Sequence, residues 1–147
     1  MLEYTKMQIV CLMIVLYISY DYYRENKKVQ RQHKRTRFEH LLGLAVMMLC
    51  FDALTAYSVN HLDTVSDGVN RICHAFFLTS IDAFIFGMFQ YMLGITEGLP
   101  EKRNKRILMS IPFWVCIALV ISNINFLEFR QGEFTNYSMG VSAYTCY

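Results

Sequence analysis

ICHAFFLTSIDAFIFGMFQYMLGI, residues 72–95, runs for 24 residues with a single Asp, Glu, Lys or Arg, Asp82, and one histidine, His74. A helix rises ~1.5 Å per residue and bilayer hydrocarbon is ~30 Å thick, so about 20 residues cross it. The stretch is long enough, and it lacks the apolar–polar alternation of a barrel strand. Backbone amides in lipid must bond within their own segment, which predicts an α-helix.

Working outward, residues 41–59 and 107–126 have the same character, at 19 and 20 residues. Residues 7–20 form a fourth apolar stretch, which reaches 20 residues when its aromatic flanks are included, 4–23. Composition agrees: 54% of the chain is hydrophobic and 18% charged, against ~45–50% and ~25% in soluble domains. A buried bundle in a water-soluble protein is the rival, but it needs a polar face on each helix. These segments are apolar nearly all round. A secretory signal peptide at 7–20 would need a basic start and a small-residue cleavage site. Only Lys6 precedes the stretch, and Tyr20-Asp21-Tyr22-Tyr23-Arg24 closes it, which reads as an anchor.

Eleven of the fourteen Lys and Arg residues fall in two short stretches. Arg24, Lys27, Lys28, Arg31, Lys34, Arg35 and Arg37 lie between spans one and two; Lys102, Arg103, Lys105 and Arg106 lie between spans three and four. Cytoplasmic loops carry an excess of cations. These eleven residues therefore set the topology: N-terminus outside, loops 24–40 and 97–106 in the cytoplasm, tail 127–147 outside. Tyr17, Tyr20, Tyr22 and Tyr23 form an inner aromatic belt. The expected fold is an all-α integral membrane helical bundle of one domain, 1–147, in the plasma membrane. Four transmembrane helices are expected, at about 4–23, 41–59, 72–95 and 107–126. Residues 141–147 turn apolar again and read as the start of a truncated fifth.

The long basic loop has three readings. Residues 29–38 are free of Gly and Pro and suit a helical extension against anionic headgroups. A nucleic-acid patch lacks any recognisable fold, so no nucleic-acid partner is expected. The plainest reading is a topology determinant alone. Glu97-Gly98-Leu99-Pro100 is turn chemistry, and Pro112 is expected to kink the fourth helix or mark its first turn.

Ionisable groups within spans are costly and point to function. Asp52 lies in span two and Asp82 in span three, with Thr55, Thr79 and Gln90 as hydroxyl and amide partners. Counting along the helices places the two acids within about one turn of each other in height. The five residues form a candidate intramembrane polar or sensing site. Interhelical hydrogen bonding that merely fixes packing is the competing reading. The dyad of an intramembrane aspartyl protease is a poor match, because Asp52 follows Phe51 and Asp82 follows Ile81 with no preceding glycine motif. His61 and His74 bracket an outer loop, but neither sits in a ligand-spaced motif, so no metal is expected. The cysteines, Cys11, Cys50, Cys73, Cys116 and Cys146, are odd in number and lack a C-x-x-C. That excludes a disulfide scaffold; Cys73 and Cys146 alone fall near the outer face, where pairing is left open. No phosphate loop, dinucleotide fingerprint or nucleophile elbow occurs, so neither catalysis nor a cofactor is expected.

The segment Phe51-Asp52-Ala53-Leu54-Thr55-Ala56-Tyr57-Ser58-Val59-Asn60, then a short loop and Asn70-Arg71-Ile72-Cys73-His74-Ala75-Phe76-Phe77, follows a basic inner loop. This pattern, over most of residues 41–147, resembles the N-terminal multi-span region of bacterial GGDEF-type diguanylate cyclases and related membrane signalling proteins. The resemblance implies a sensory or anchoring input region whose partner is a cytoplasmic domain that makes cyclic di-GMP. No GGDEF or EAL motif is present, so no active-site residue carries over. The bilayer and a cytoplasmic signalling domain are the expected partners, and a homodimer is left open. A small transporter or channel subunit using the intramembrane aspartates is the alternative, and a purely structural membrane subunit a third reading.

Overall fold

A computed structural model of the protein describes residues 5–26, 32–96, 103–133 and 136–141. Helix α1 spans Lys6–Asn26, α2 Gln32–Val59, α3 Asp67–Thr96 and α4 Arg103–Asn123. A single 3₁₀ turn, Ile124–Phe126, follows α4 and leads into a short hairpin of β1, Glu128–Arg130, and β2, Tyr137–Met139. The strands pair antiparallel, with Phe129 opposite Ser138.

Every expected apolar stretch is helical. Among the described residues, three helices are long and apolar enough to cross a membrane, over Arg37–Val59, Asp67–Thr96 and Asn104–Phe126. α1 is not one of the three: its 21 residues include Lys6, Asp21, Arg24 and Glu25, which shorten its apolar run. Residues 32–40 continue α2 as one rod of 28 residues, which is the helical extension among the readings of the basic segment. A hairpin folds within the tail after residue 126, an element that the all-α expectation did not include. The turn at 97–100 and most of the apolar end at 141–147 lie outside the described residues.

α2 and α3 form an antiparallel hairpin whose turn is bonded locally. Thr64 and Val65 donate their N–H groups to the His61 carbonyl at 3.1 and 2.9 Å, while the Asn60 amide donates to the Ala56 carbonyl and closes α2. The register is set by bulk against space. Phe51 stacks on Phe76 with ring centroids 5.2 Å apart, and Leu44 packs where Gly87 carries no side chain. α1 runs antiparallel beside α2, with Gln8 at Asp52 and Tyr22 against Phe38. Phe38 in turn meets Tyr91 of α3. One end of the bundle thus carries the aromatic cluster and the basic residues; the other carries the α2–α3 turn and the hairpin. These are called the basic end and the turn end below.

Burial is inverted relative to a water-soluble protein. Among the described residues the buried apolar ones are Val59, Leu78, Val120 and Leu127, whereas Thr5, Thr55, Ser58, Asn70, His74, Ser80 and Asp82 are buried polar ones. Large apolar side chains face outward, Met7 at 76%, Tyr17 at 71% and Leu108 at 66% exposure among them. In water such a surface would lack the polar cover of a stable monomer; in lipid it is the expected arrangement, with polar groups turned into the bundle.

Candidate functional site

The polar interior is divided among different helix pairs. Asp52 is half-buried on α2 and meets α1, where the Gln8 side chain hydrogen-bonds its carboxyl group. Oε1 of Gln8 is buried without a partner, which assigns the donated bond to the amide nitrogen. Thr55, one turn on, is buried, but its Oγ1 bonds nothing among the described residues. It is therefore not the hydroxyl partner of Asp52 that the i+3 spacing suggested. Its backbone carbonyl accepts from Ser58 Oγ at 3.1 Å instead.

Asp82 is 8% exposed on α3 and lines a cavity of about 360 Å³ shared with α4, walled by Phe86, Phe89, Pro112, Phe113 and Cys116. Thr79 is half-buried on the preceding turn, and next to it Ser80 Oγ donates to the Phe77 carbonyl at 2.7 Å. Gln90 lines a second cavity, of about 310 Å³, toward the basic end with Arg37, His40, Gly87 and Tyr91. The Phe51–Phe76 stack and the Leu44–Gly87 contact place Asp82 closer to the basic end than Asp52, by roughly 4–10 Å at the helical rise. The two acids are thus roughly one to two turns apart in height, and their surroundings differ: Gln8 of α1 for Asp52, the α3–α4 cavity for Asp82 and the second cavity for Gln90.

Pro112 lies inside an uninterrupted α4. Having no N–H, it cannot bond the carbonyl one turn back, and its ring crowds that turn. Its position on the cavity wall opposite Asp82 is where this loosening falls.

The turn end carries a bonded cap that the sequence did not disclose. Arg71 Nη1 donates to the carbonyls of Ile124 at 3.0 Å and Asn125 at 2.6 Å, and its guanidinium lies 5.9 Å from the Phe129 ring centroid. Asn136 bonds the end of α2. It donates its N–H to Asn60 Oδ1 and its amide to the Val59 carbonyl, both at 3.0 Å. His74 is buried, bonds the Asn70 carbonyl through Nδ1 and packs edge-on to Phe129. His61 instead stacks on Tyr57 at 4.2 Å and bonds its carbonyl. Among the described residues no three His, Cys, Asp or Glu side chains gather as metal ligands. Cys11, Cys50, Cys73 and Cys116 are free thiols, and Cys146 lies outside the described residues.

Of the topology-setting cations, Arg24 pairs with Asp21 at 2.8 Å on the surface, Lys105 and Arg106 are exposed, and Arg37 packs over Gly94. Lys34 and Arg35 fall within α2 and Arg103 opens α4. Lys27, Lys28, Arg31 and Lys102 lie outside the described residues. No family model, no curated protein and no solved structure matches this chain.

Proposed function

We propose that the chain is a membrane-embedded sensory or anchoring input region of a signalling protein of the diguanylate cyclase type, without catalysis of its own. The observation that carries this reading is the course of α2. It is one unbroken rod of 28 residues, bonded to the cap through Val59 and Asn60 and continuing past lipid depth as a basic helix. A rod fastened at one face and projecting at the other transmits a displacement across the bilayer. The signalling class rests on the sequence likeness of residues 41–147.

In this reading α1 is a fourth span. Its contacts with α2 run from Gln8–Asp52 to Tyr22–Phe38, an accompaniment of roughly 21 Å at the helical rise. The basic end faces the cytoplasm and the turn end faces outward across the plasma membrane. A stimulus acts by biasing two packings that differ in their contacts, with Asp52–Gln8 as the polar link between α1 and α2. The cytoplasmic partner is the output domain.

The test joins the chain, after residue 147, to one added span and a GGDEF catalytic domain. Cellular cyclic di-GMP is expected to differ between the parent and D52N or Q8L variants. Equal output from all three, at equal protein level, overturns the reading. Asp82 on a cavity wall favours a second reading, a small transporter or channel subunit. Proton flux in liposomes that D52N and D82N abolish would establish that alternative; a parent without flux would remove it.

A further inference from the structure

The groove between α2 and α3 at the basic end joins a cationic mouth to an apolar interior. Gly94 leaves room for the half-buried Arg37, whose guanidinium lies against the position that a Cβ there would occupy. Two turns along α3, Gly87 takes the Leu44 side chain in the same manner. The cation is thus laid across α3 instead of reaching straight into water. Arg37 opens the apolar run of α2, Arg37–Val59, and Gly94 lies close to the end of α3 at Thr96. The guanidinium therefore sits where hydrocarbon gives way to headgroups.

Two cavities share Arg37 and Tyr91. One, of about 200 Å³, lies over Gly94 and Ile95. The other, of about 310 Å³, has His40 and Gln90 one turn below Arg37, and Leu44, Phe86 and Phe113 deeper still. From Arg37 to Leu44 its lining descends ~10 Å at the helical rise. Among the described residues neither lining includes an Asp or a Glu. An arginine fork matches phosphate oxygens bidentately, and the imidazole, amide and phenol beside it are further donors. A hydrocarbon alone would fill the depth and give the mouth nothing to bond. A small anion alone would meet Arg37 and leave the apolar walls empty. A choline lipid would bring a second cation to an end where α2 already carries Lys34, Arg35 and Arg37 in its first two turns. A lipid with a net negative headgroup answers both the mouth and the depth.

We propose that this groove binds one anionic phospholipid, its phosphate on Arg37 over Gly94 and an acyl chain entering the cavity toward Leu44 and Phe86. The inference rests on the membrane setting of the chain and not on the signalling reading. It is an equilibrium property, so it stands or falls whether or not the protein signals or carries flux.

Native mass spectrometry of the full chain, released from neutral detergent, is used to titrate it with dioleoylphosphatidylglycerol and with dioleoylphosphatidylcholine, which share acyl chains and differ in net charge. Saturable retention of one phosphatidylglycerol per chain is expected, with an affinity about tenfold or more above that for phosphatidylcholine. R37Q is expected to bring phosphatidylglycerol to the phosphatidylcholine level. K105Q deletes an equal charge from an exposed position outside both cavities, and is expected to change the affinity by less than about threefold. Where R37Q does not assemble, G94A takes its place: it keeps every charge, displaces the guanidinium and is expected to weaken phosphatidylglycerol by about threefold or more. Equal affinity for the two lipids, or a loss in R37Q (or G94A) no greater than in K105Q, overturns the proposal. So does full displacement of the lipid by an equal concentration of glycerol 3-phosphate, which would make the groove a site for free phosphate.

Discussion

Gly140 and Gly87 both sit where a methyl group would meet a neighbour, but the neighbours differ. At Gly140 the backbone has φ +155°, and an added Cβ would stand 3.0 Å from the Phe126 carbonyl oxygen and 3.2 Å from Leu127 Cα. Backbone cannot yield as a side chain does, so G140A is expected to cost ~1–3 kcal/mol. At Gly87 the close atom, at 2.9 Å, is the tip of the Leu44 side chain, which rotates aside; G87A is expected to stay within about 1 kcal/mol of the parent. Thermal unfolding in detergent ranks the two, and the reverse order would contradict the packing described. At this scale the sequence was partly legible. An acid in an apolar run is conspicuous, so Asp52 and Asp82 stood out. Gln8 did not, because its bond to Asp52 depends on the rotation of α1, and a segment apolar on every side fixes no rotation. A signal was nonetheless present: Gln8 is the lone amide in residues 7–20.

Among the elements, the hairpin is held chiefly by polar bonds and the helices by packing. Arg71 supplies two hydrogen bonds from a charged donor to the segment after α4, each worth ~1.5–3 kcal/mol when made by a charged group. R71A is expected to raise the rate of tryptic cleavage after Arg130 by about tenfold or more, through local opening of the cap. Cleavage products are identified by mass. An unchanged rate would show that the cap does not depend on Arg71. The helices were legible because bilayer thickness imposes a length that a string of apolar residues either meets or misses. The hairpin was not, because Glu128–Arg130 and Tyr137–Met139 are three-residue strands, too short for an alternation to register. Their placement comes from Arg71, more than fifty residues earlier in the chain. The basic segment before residue 41 was read in part, since its freedom from Gly and Pro fitted the helix but did not require it to be continuous with the span.

For the whole molecule, inverted burial and the segregated cations make one joint statement about solvent. With cysteine placed at His40 or Lys105, a membrane-impermeant maleimide is expected to label both from the same side of sealed vesicles. Cysteine at Asp63 or Glu133 is expected to react only from the other side. Labelling of His40 and Lys105 variants from opposite sides would overturn the antiparallel arrangement across the membrane. The sequence carried this scale best, because length, composition and charge asymmetry are properties of the entire chain. It carried the internal register least: counting placed Asp52 and Asp82 within about one turn of each other in height, and the Phe51–Phe76 and Leu44–Gly87 contacts set the separation at roughly 4–10 Å.

The two extremities of the bundle are joined by different kinds of bond. Around the cap, Asn136 and Arg71 stitch α2, α3 and the 3₁₀ turn after α4 through backbone carbonyls, and such bonds are directional and break if the groups slide. At the opposite extremity α1, α2 and α3 meet through Tyr22, Phe38 and Tyr91, rings that keep contact over a range of offsets. The molecule is therefore built like a clothes-peg, with its pivot beneath the hairpin. Any rearrangement that leaves the stitches intact shows itself as a splaying of the far tips.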